Sequence, residues 1–103
     1  MRTIERKKRF KQDYKKLKSG IHAKTIDTML LEIVGLLVND IQLPERYFDH
    51  PLTGEWKDYR DLHIKPDLVL IYRKPNDATL ELIRIGSHSE LGHLKISIIS
   101  GSV

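Results

Sequence analysis

The chain has 103 residues and carries 18 Lys+Arg against 14 Asp+Glu, a formal net charge of +4. That length suits one domain, whose single core would bury about two-thirds of the unfolded surface without staples. The lack of cysteine excludes a disulfide scaffold, a thiolate metal site and a Cys nucleophile together. The charged N-terminus has no apolar signal-peptide run, and the longest apolar stretch, residues 29–38, is short and interrupted by Glu32. The expectation is a soluble, cytoplasmic protein with no membrane partner.

In chain order, residues 2–5 suit a short opening strand. Over 7–18 the apolar residues Phe10, Tyr14 and Leu17, continuing to Ile21, are spaced by four, three and four. That is one helical stripe, and it leaves Lys8, Lys11, Lys15 and Lys18 on or near the polar side. Ser19-Gly20 suits a helix stop. A second helix is expected over 22–39, with Ile26, Met29, Leu30, Ile33, Val34 and Leu37 turned to a core. Residues 40–54 are turn-rich, with Pro44, Asp49-His50-Pro51 and Thr53-Gly54. Strands are expected over 56–64, 68–73 and 79–85, separated by Pro66-Asp67 and by a hairpin loop at 74–77. Residues 87–91 suit one helical turn, and 93–103 a further strand or a loose tail. The order β-α-α-β-β-β predicts an α+β fold, with two N-terminal helices packed on one face of a mostly antiparallel sheet.

Charge is distributed unevenly. Residues 1–24 hold ten Lys/Arg against Glu5 and Asp13, while 25–103 hold eight against twelve acids. A basic first quarter suits a polyanion, whose phosphates exchange condensed counterions for Lys and Arg. A solvated helix face and an acidic protein partner fit the same numbers.

Strand alternation puts Tyr59, Asp61, His63 and Lys65 on one face, with Leu62 and Ile64 turned the other way toward the helices. A face bearing Asp, His and Lys is either solvent or a site. His50 comes from the preceding loop, and His88 follows the last strand, four residues past Arg84. Three readings are open. The histidines can be merely solvated. They can hold a metal, although there is no His-x-x-x-His on an expected helix and no Cys pair. They can also form an acid–base pair, in which one imidazole removes a proton, another donates one, and an Arg or Lys stabilises a five-coordinate phosphorus. RNA brings its own nucleophile, the 2′-OH, so such an enzyme needs neither cofactor nor metal. Nucleotide-binding glycine loops and a serine-hydrolase elbow are missing from the sequence. Trp56 and Tyr59 suit either base stacking or sheet packing.

Taken together, residues 49–72 carry a long string. It runs Asp49-His50-Pro51-Leu52, Gly54, Trp56, Tyr59-Arg60-Asp61, His63, then Pro66-Asp67 to Ile71-Tyr72. This string, with Arg84-Ile85-Gly86-Ser87-His88 near the end, resembles the signature of YafQ-type toxins. These belong to the RelE/ParE superfamily of type II toxin–antitoxin systems. The resemblance covers the chain to about residue 91. It implies a toxin domain over 1–92, a C-terminal extension at 93–103, and a microbial-RNase-like fold. It also implies a ribosome-dependent endoribonuclease, an mRNA interferase. Such an enzyme cuts mRNA in the A site through the 2′-OH without metal and thereby inhibits translation.

Carried over position by position, the resemblance assigns His50 and His63 to 2′-OH activation and phosphate contact. Asp61 and Asp67 would orient the histidines, Arg84 would stabilise the phosphorane, and His88 would protonate the leaving 5′-oxygen. Lys8, Lys11, Lys15, Lys18, Arg60 and Lys65 become candidates for contact with mRNA and 16S/23S rRNA, the helix lysines by spacing and not by motif. A cognate antitoxin would be the protein partner, with operator DNA bound only through the antitoxin complex. The sequence departs from the family at Gly92, where relatives often carry an aromatic, and at Leu68, where some have Trp. A non-catalytic member that binds RNA or antitoxin is the alternative.

Overall fold

The computed structural model describes residues 1–87, 89 and 91. The chain opens with β1 (Thr3–Arg6), followed by α1 (Lys8–Leu17) and α2 (Ile26–Val38). Four strands follow: β2 (His50–Pro51), β3 (Tyr59–Lys65), β4 (Leu68–Asn76) and β5 (Thr79–Ser87). The five lie in one sheet ordered β1-β5-β4-β3-β2. β1 runs parallel to β5, and the other pairs are antiparallel. The sheet is therefore mixed, and the order is β-α-α-β-β-β-β. One strand, β2, was not among those expected, because two residues ending in proline carry no period.

Both helices bury the expected stripes. Phe10 and, from α2, Ile26, Ile33 and Leu37 close on Leu62, Leu70, Tyr72, Leu80, Leu82 and Ile85 of the sheet. Each fully buried aliphatic or aromatic side chain contributes about 1.5–3 kcal/mol. Ile21, expected at the end of the α1 stripe, is 94% exposed. The helix has already stopped at Leu17, and the amides of Ser19 and Gly20 bond back to the carbonyls of Lys16 and Leu17. Likewise α2 starts at Ile26, not 22, since Ile26 is the first residue of that segment with core to pack on. Residues before it form turns, with the His22 carbonyl accepting from the Ile26 amide (2.9 Å).

β3 begins at Tyr59 rather than 56. Gly54–Trp56 form a 3₁₀ turn, entered through Gly54 at φ +66°, a left-handed backbone that glycine adopts without a Cβ clash. β4 extends through Pro75 to Asn76, beyond the expected end at 73. A register shift between Arg73 and Asn76 sets the proline where no ladder donor is needed. From Leu68 to Tyr72 β4 is buried on both faces, which explains its continuous apolar run. The helices cover one face; on the other, Val69 and Ile71 pack with Leu91 and Ile83. The face bearing Asp61 and His63 is thus partly apolar and covered. The expected extension at 93–103 lies outside the described residues, as does Gly92.

Candidate active site

β2 is the hinge of the site. Its residue His50 pairs in register with Asp61 on β3. His50 Nε2 lies 2.8 Å from Asp61 Oδ1, and Nδ1 lies 2.6 Å from the Phe48 carbonyl oxygen. A carbonyl only accepts, so the Nδ1 proton points at it. Nε2 is within ion-pairing distance of the Asp61 carboxylate, a pairing that operates whenever the imidazole is protonated. Half of the His50 side chain is exposed, whereas Asp61 behind it is 1% exposed.

The residue between, Asp49, sends its carboxylate to the helix face. There it accepts hydrogen bonds from Arg60 Nε (3.2 Å) and Nη2 (3.1 Å) and from the Tyr72 hydroxyl (2.5 Å). Burial pushes the Tyr72 phenol well above its ordinary value, and the bond to Asp49 adds to this. Consecutive residues are therefore pinned on opposite faces of the sheet, Asp49 from behind and His50 in front. Arg60, an RNA candidate by sequence, is committed to this internal pair. In the sequence Asp49 stood out only as part of the motif string, and its adjacency to His50 there was the available signal.

His63 stands two residues along β3 from Asp61 and is half-buried, its ring 6.0 Å from that of Phe48. Lys65, expected on the same face, does not continue the alternation: the register shifts between His63 and Lys65, which pairs with the core residue Leu68, and Asp67 is exposed in the turn before β4. Across the sheet, Asp61 pairs with Ile71 and Ile71 with Arg84. Arg84 therefore lies in the same row as Asp61, two strand spacings or roughly 10 Å away. It is buried, with Nε (2.5 Å) and Nη2 (3.0 Å) donating to the carboxylate of Asp13 on α1. Nη1 has no hydrogen-bond partner among the described residues. The arrangement aims one guanidinium donor while Asp13 holds the other side. Asp13, the lone acid of α1, entered the sequence reading only as a charge.

His88 lies outside the described residues. Lys8, Lys11, Lys15 and Lys18 are all exposed, and Lys18 pairs with Asp27 at 2.7 Å. At about 100° per residue, Lys8 and Lys15 sit roughly 140–160° around α1 from Asp13, while Arg9 and Lys16 sit within about 60° of it. Arg9 and Lys16 are thus the α1 cations on the side of Arg84. Among the described residues no three His, Asp or Glu side chains are grouped to hold a metal ion. One hollow, about 980 Å³, opens behind the sheet beside Arg60 and Tyr72, away from His63. A smaller one, about 530 Å³, borders His63 itself.

An exposed imidazole backed by a buried carboxylate, beside a second imidazole and a clamped arginine, defines a small α+β protein equipped to handle an anionic group and move protons. Comparison with known proteins narrows the class. The family described as bacterial toxin of type II toxin-antitoxin system, YafQ, matches residues 2–93, and the chain belongs to that family. It is 40% identical over 90 residues to mRNA interferase toxin YafQ of Escherichia coli strain B/BL21-DE3, spanning 87% of this chain and 95% of that one. To the protein of the same name from E. coli K12 it is 48% identical over 60 residues, which is 64% of that protein's length. Among solved structures, the E. coli DinJ-YafQ complex superposes with a TM-score of 0.75 at 37% identity, covering 88% of this chain and 98% of that one. A metal-bound toxin from Helicobacter pylori superposes with a TM-score of 0.74 at 47% identity, covering 88% and 99%.

Proposed function

We propose that this protein is an endoribonuclease toxin that cleaves mRNA in the ribosomal A site without metal. The observation that carries the proposal is the placement of His50, Asp61, His63 and Arg84 on one sheet face, with one arginine donor lacking a partner among the described residues. Membership of the YafQ family, with relatives named mRNA interferase, supports it. In the proposed reaction His63 takes the proton of the 2′-OH, whose oxygen attacks the adjacent phosphorus. His50 contacts the phosphate, and Asp61 keeps it in place. Arg84 Nη1 meets the added charge of the phosphorane. The P–O5′ bond breaks, His88 gives a proton to the leaving 5′-oxygen, and the products are a 2′,3′-cyclic phosphate and a 5′-OH. Asp67, in the exposed turn, orients His63.

The exposed lysines of α1 and Lys65 supply phosphate contacts to rRNA and mRNA, which makes binding salt-dependent. A cognate antitoxin neutralises the protein, supported by the E. coli complex with DinJ, and operator DNA is reached only through that complex. The setting proposed is the cytoplasm; no helix among the described residues is long and apolar enough to cross a membrane. The test is cleavage of a defined mRNA on programmed ribosomes, with and without EDTA, beside His63→Ala and His88→Ala. A discrete A-site cut leaving a cyclic phosphate, resistant to EDTA and lost in both variants, is expected. A cut that EDTA abolishes, or no cut by folded protein, refutes the mechanism.

A further inference from the structure

Phe48 is an apolar residue kept out of the core. Its neighbour Tyr47 is buried, yet Phe48 is 71% exposed, and its backbone sits at φ +51°, ψ +40°, a left-handed conformation rarely adopted by a bulky side chain. Two things hold it there. Its carbonyl receives the His50 Nδ1 proton, and its ring leans on His63 with centroids 6.0 Å apart and planes tilted by 48°. The same ring lines an open hollow of about 530 Å³, together with Tyr47, His63, Ile64, Arg46 and Lys65. That volume is within the range of small-molecule sites. One exposed π face beside two long cations is the combination that binds single-stranded nucleic acid, the ring taking a base and the cations its phosphates. Backbone strain at such a position is maintained where the surroundings over-determine it, and these surroundings are the two histidines of the site.

We propose that Phe48 is the base-stacking residue of this site, seating the nucleobase next to the scissile phosphate in the Phe48–His63–Lys65 hollow. The proposal rests on the reading of the protein as an RNA-cleaving toxin and assigns part of its substrate grip to a residue outside the shared histidine motif. A stacked base would fix the ribose whose 2′-OH must face His63, so the ring acts on substrate placement and not on proton transfer.

The experiment compares wild type, Phe48→Trp, Phe48→Leu and Phe48→Gly on programmed ribosomes. Each protein is given a defined mRNA and the same mRNA with a single abasic nucleotide at each position flanking the cut. Phe48→Trp is expected to match wild type, and Phe48→Leu and Phe48→Gly to lose roughly 5- to 150-fold in kcat/KM, mainly through KM. At one abasic position all four proteins are expected to cleave alike, because the stacking partner is already gone. Glycine fits the left-handed backbone, so the fold survives even if leucine disturbs it. Equal cleavage of the intact mRNA by all four proteins overturns the proposal and leaves the ring for protein docking. A loss that persists equally at every abasic position also overturns it and makes Phe48 purely structural. If the wild type cuts nothing, the reading falls and the inference with it.

Discussion

Replacing Asp13 by Asn tests the link between the helix layer and the site. The Asp13 carboxylate accepts from Arg84 Nε (2.5 Å) and Nη2 (3.0 Å) and from the Ile85 amide (3.1 Å). The two side chains are only 16% and 8% exposed. An asparagine keeps one oxygen for the Ile85 amide but loses the charge and turns an NH₂ donor toward the guanidinium. Removing one member of a buried pair costs about 3–5 kcal/mol, because the other charge is left uncompensated. Asp13 is not fully buried and one acceptor survives, so about 3 kcal/mol is expected. Against a total of about 5–15 kcal/mol the variant stays folded at 25 °C, and its Tm falls by roughly 15 °C. Urea denaturation followed by circular dichroism gives the stability, and single-turnover cleavage gives the effect of an untethered arginine. With Arg84→Gln and the double variant, the cycle should show a coupling of about 1.5 kcal/mol or more. Stability within about 0.5 kcal/mol of wild type, or a coupling near zero, would refute the claim that Asp13 aims Arg84.

Three further outcomes are expected. Tyr72→Phe removes the buried hydroxyl's bond to the Asp49 carboxylate; a loss of about 2 kcal/mol in urea unfolding, with a lower cleavage rate as His50 loosens, is expected, and an unmoved midpoint contradicts the clasp. Phe48→Gly relieves a left-handed backbone worth about 1–2 kcal/mol at a glycine entropy cost of about 0.5–1 kcal/mol, so the melting temperature should rise slightly even as cleavage falls. A clear drop in melting temperature would mean that the ring holds the fold. Glu81 is buried between Arg73 (2.8 Å) and Lys7 (3.2 Å). Burial pushes its carboxyl up, but hydrogen bonds from those two cations more than offset this and hold it below the ordinary 4.5. Its stabilisation is therefore complete above about pH 4.5 and is lost as pH falls through the lowered value. Glu81→Gln should flatten that acid limb in pH-dependent urea midpoints, and an unchanged limb would show the pairing to be absent.

Local pattern carried much of this fold. The spacing of Phe10, Tyr14 and Leu17 defines the buried stripe of α1, and the alternation of Asp61 and His63 with Leu62 and Ile64 sets which face looks at the helices. Both are properties of consecutive residues, and side-chain direction follows from period alone. Ile21 and Trp56 show where period fails: each continues a pattern in sequence, yet the chain has turned before it, at Leu17 and at Gly54. β2 was invisible because two residues make no pattern, and it exists only because β3 offers an open edge to His50.

The candidate site divides the same way. The residue types, and the facing of Asp61 and His63, were legible in the chain. The partnership of His50 with Asp61 was not, nor was the capture of Arg84 by Asp13, 71 residues earlier. Arg60 next to Asp61 looked like a surface cation, but strand alternation sends it through to Asp49 on the other side. By itself, the sequence determined the fold class, the basic first quarter and the list of groups able to move a proton, because those depend on composition and short-range spacing. Only the tertiary structure decided which charge faces which, which arginine donor has no partner among the described residues, and that an exposed phenylalanine stands against His63. Those depend on contacts between segments far apart in the chain, which no local period encodes.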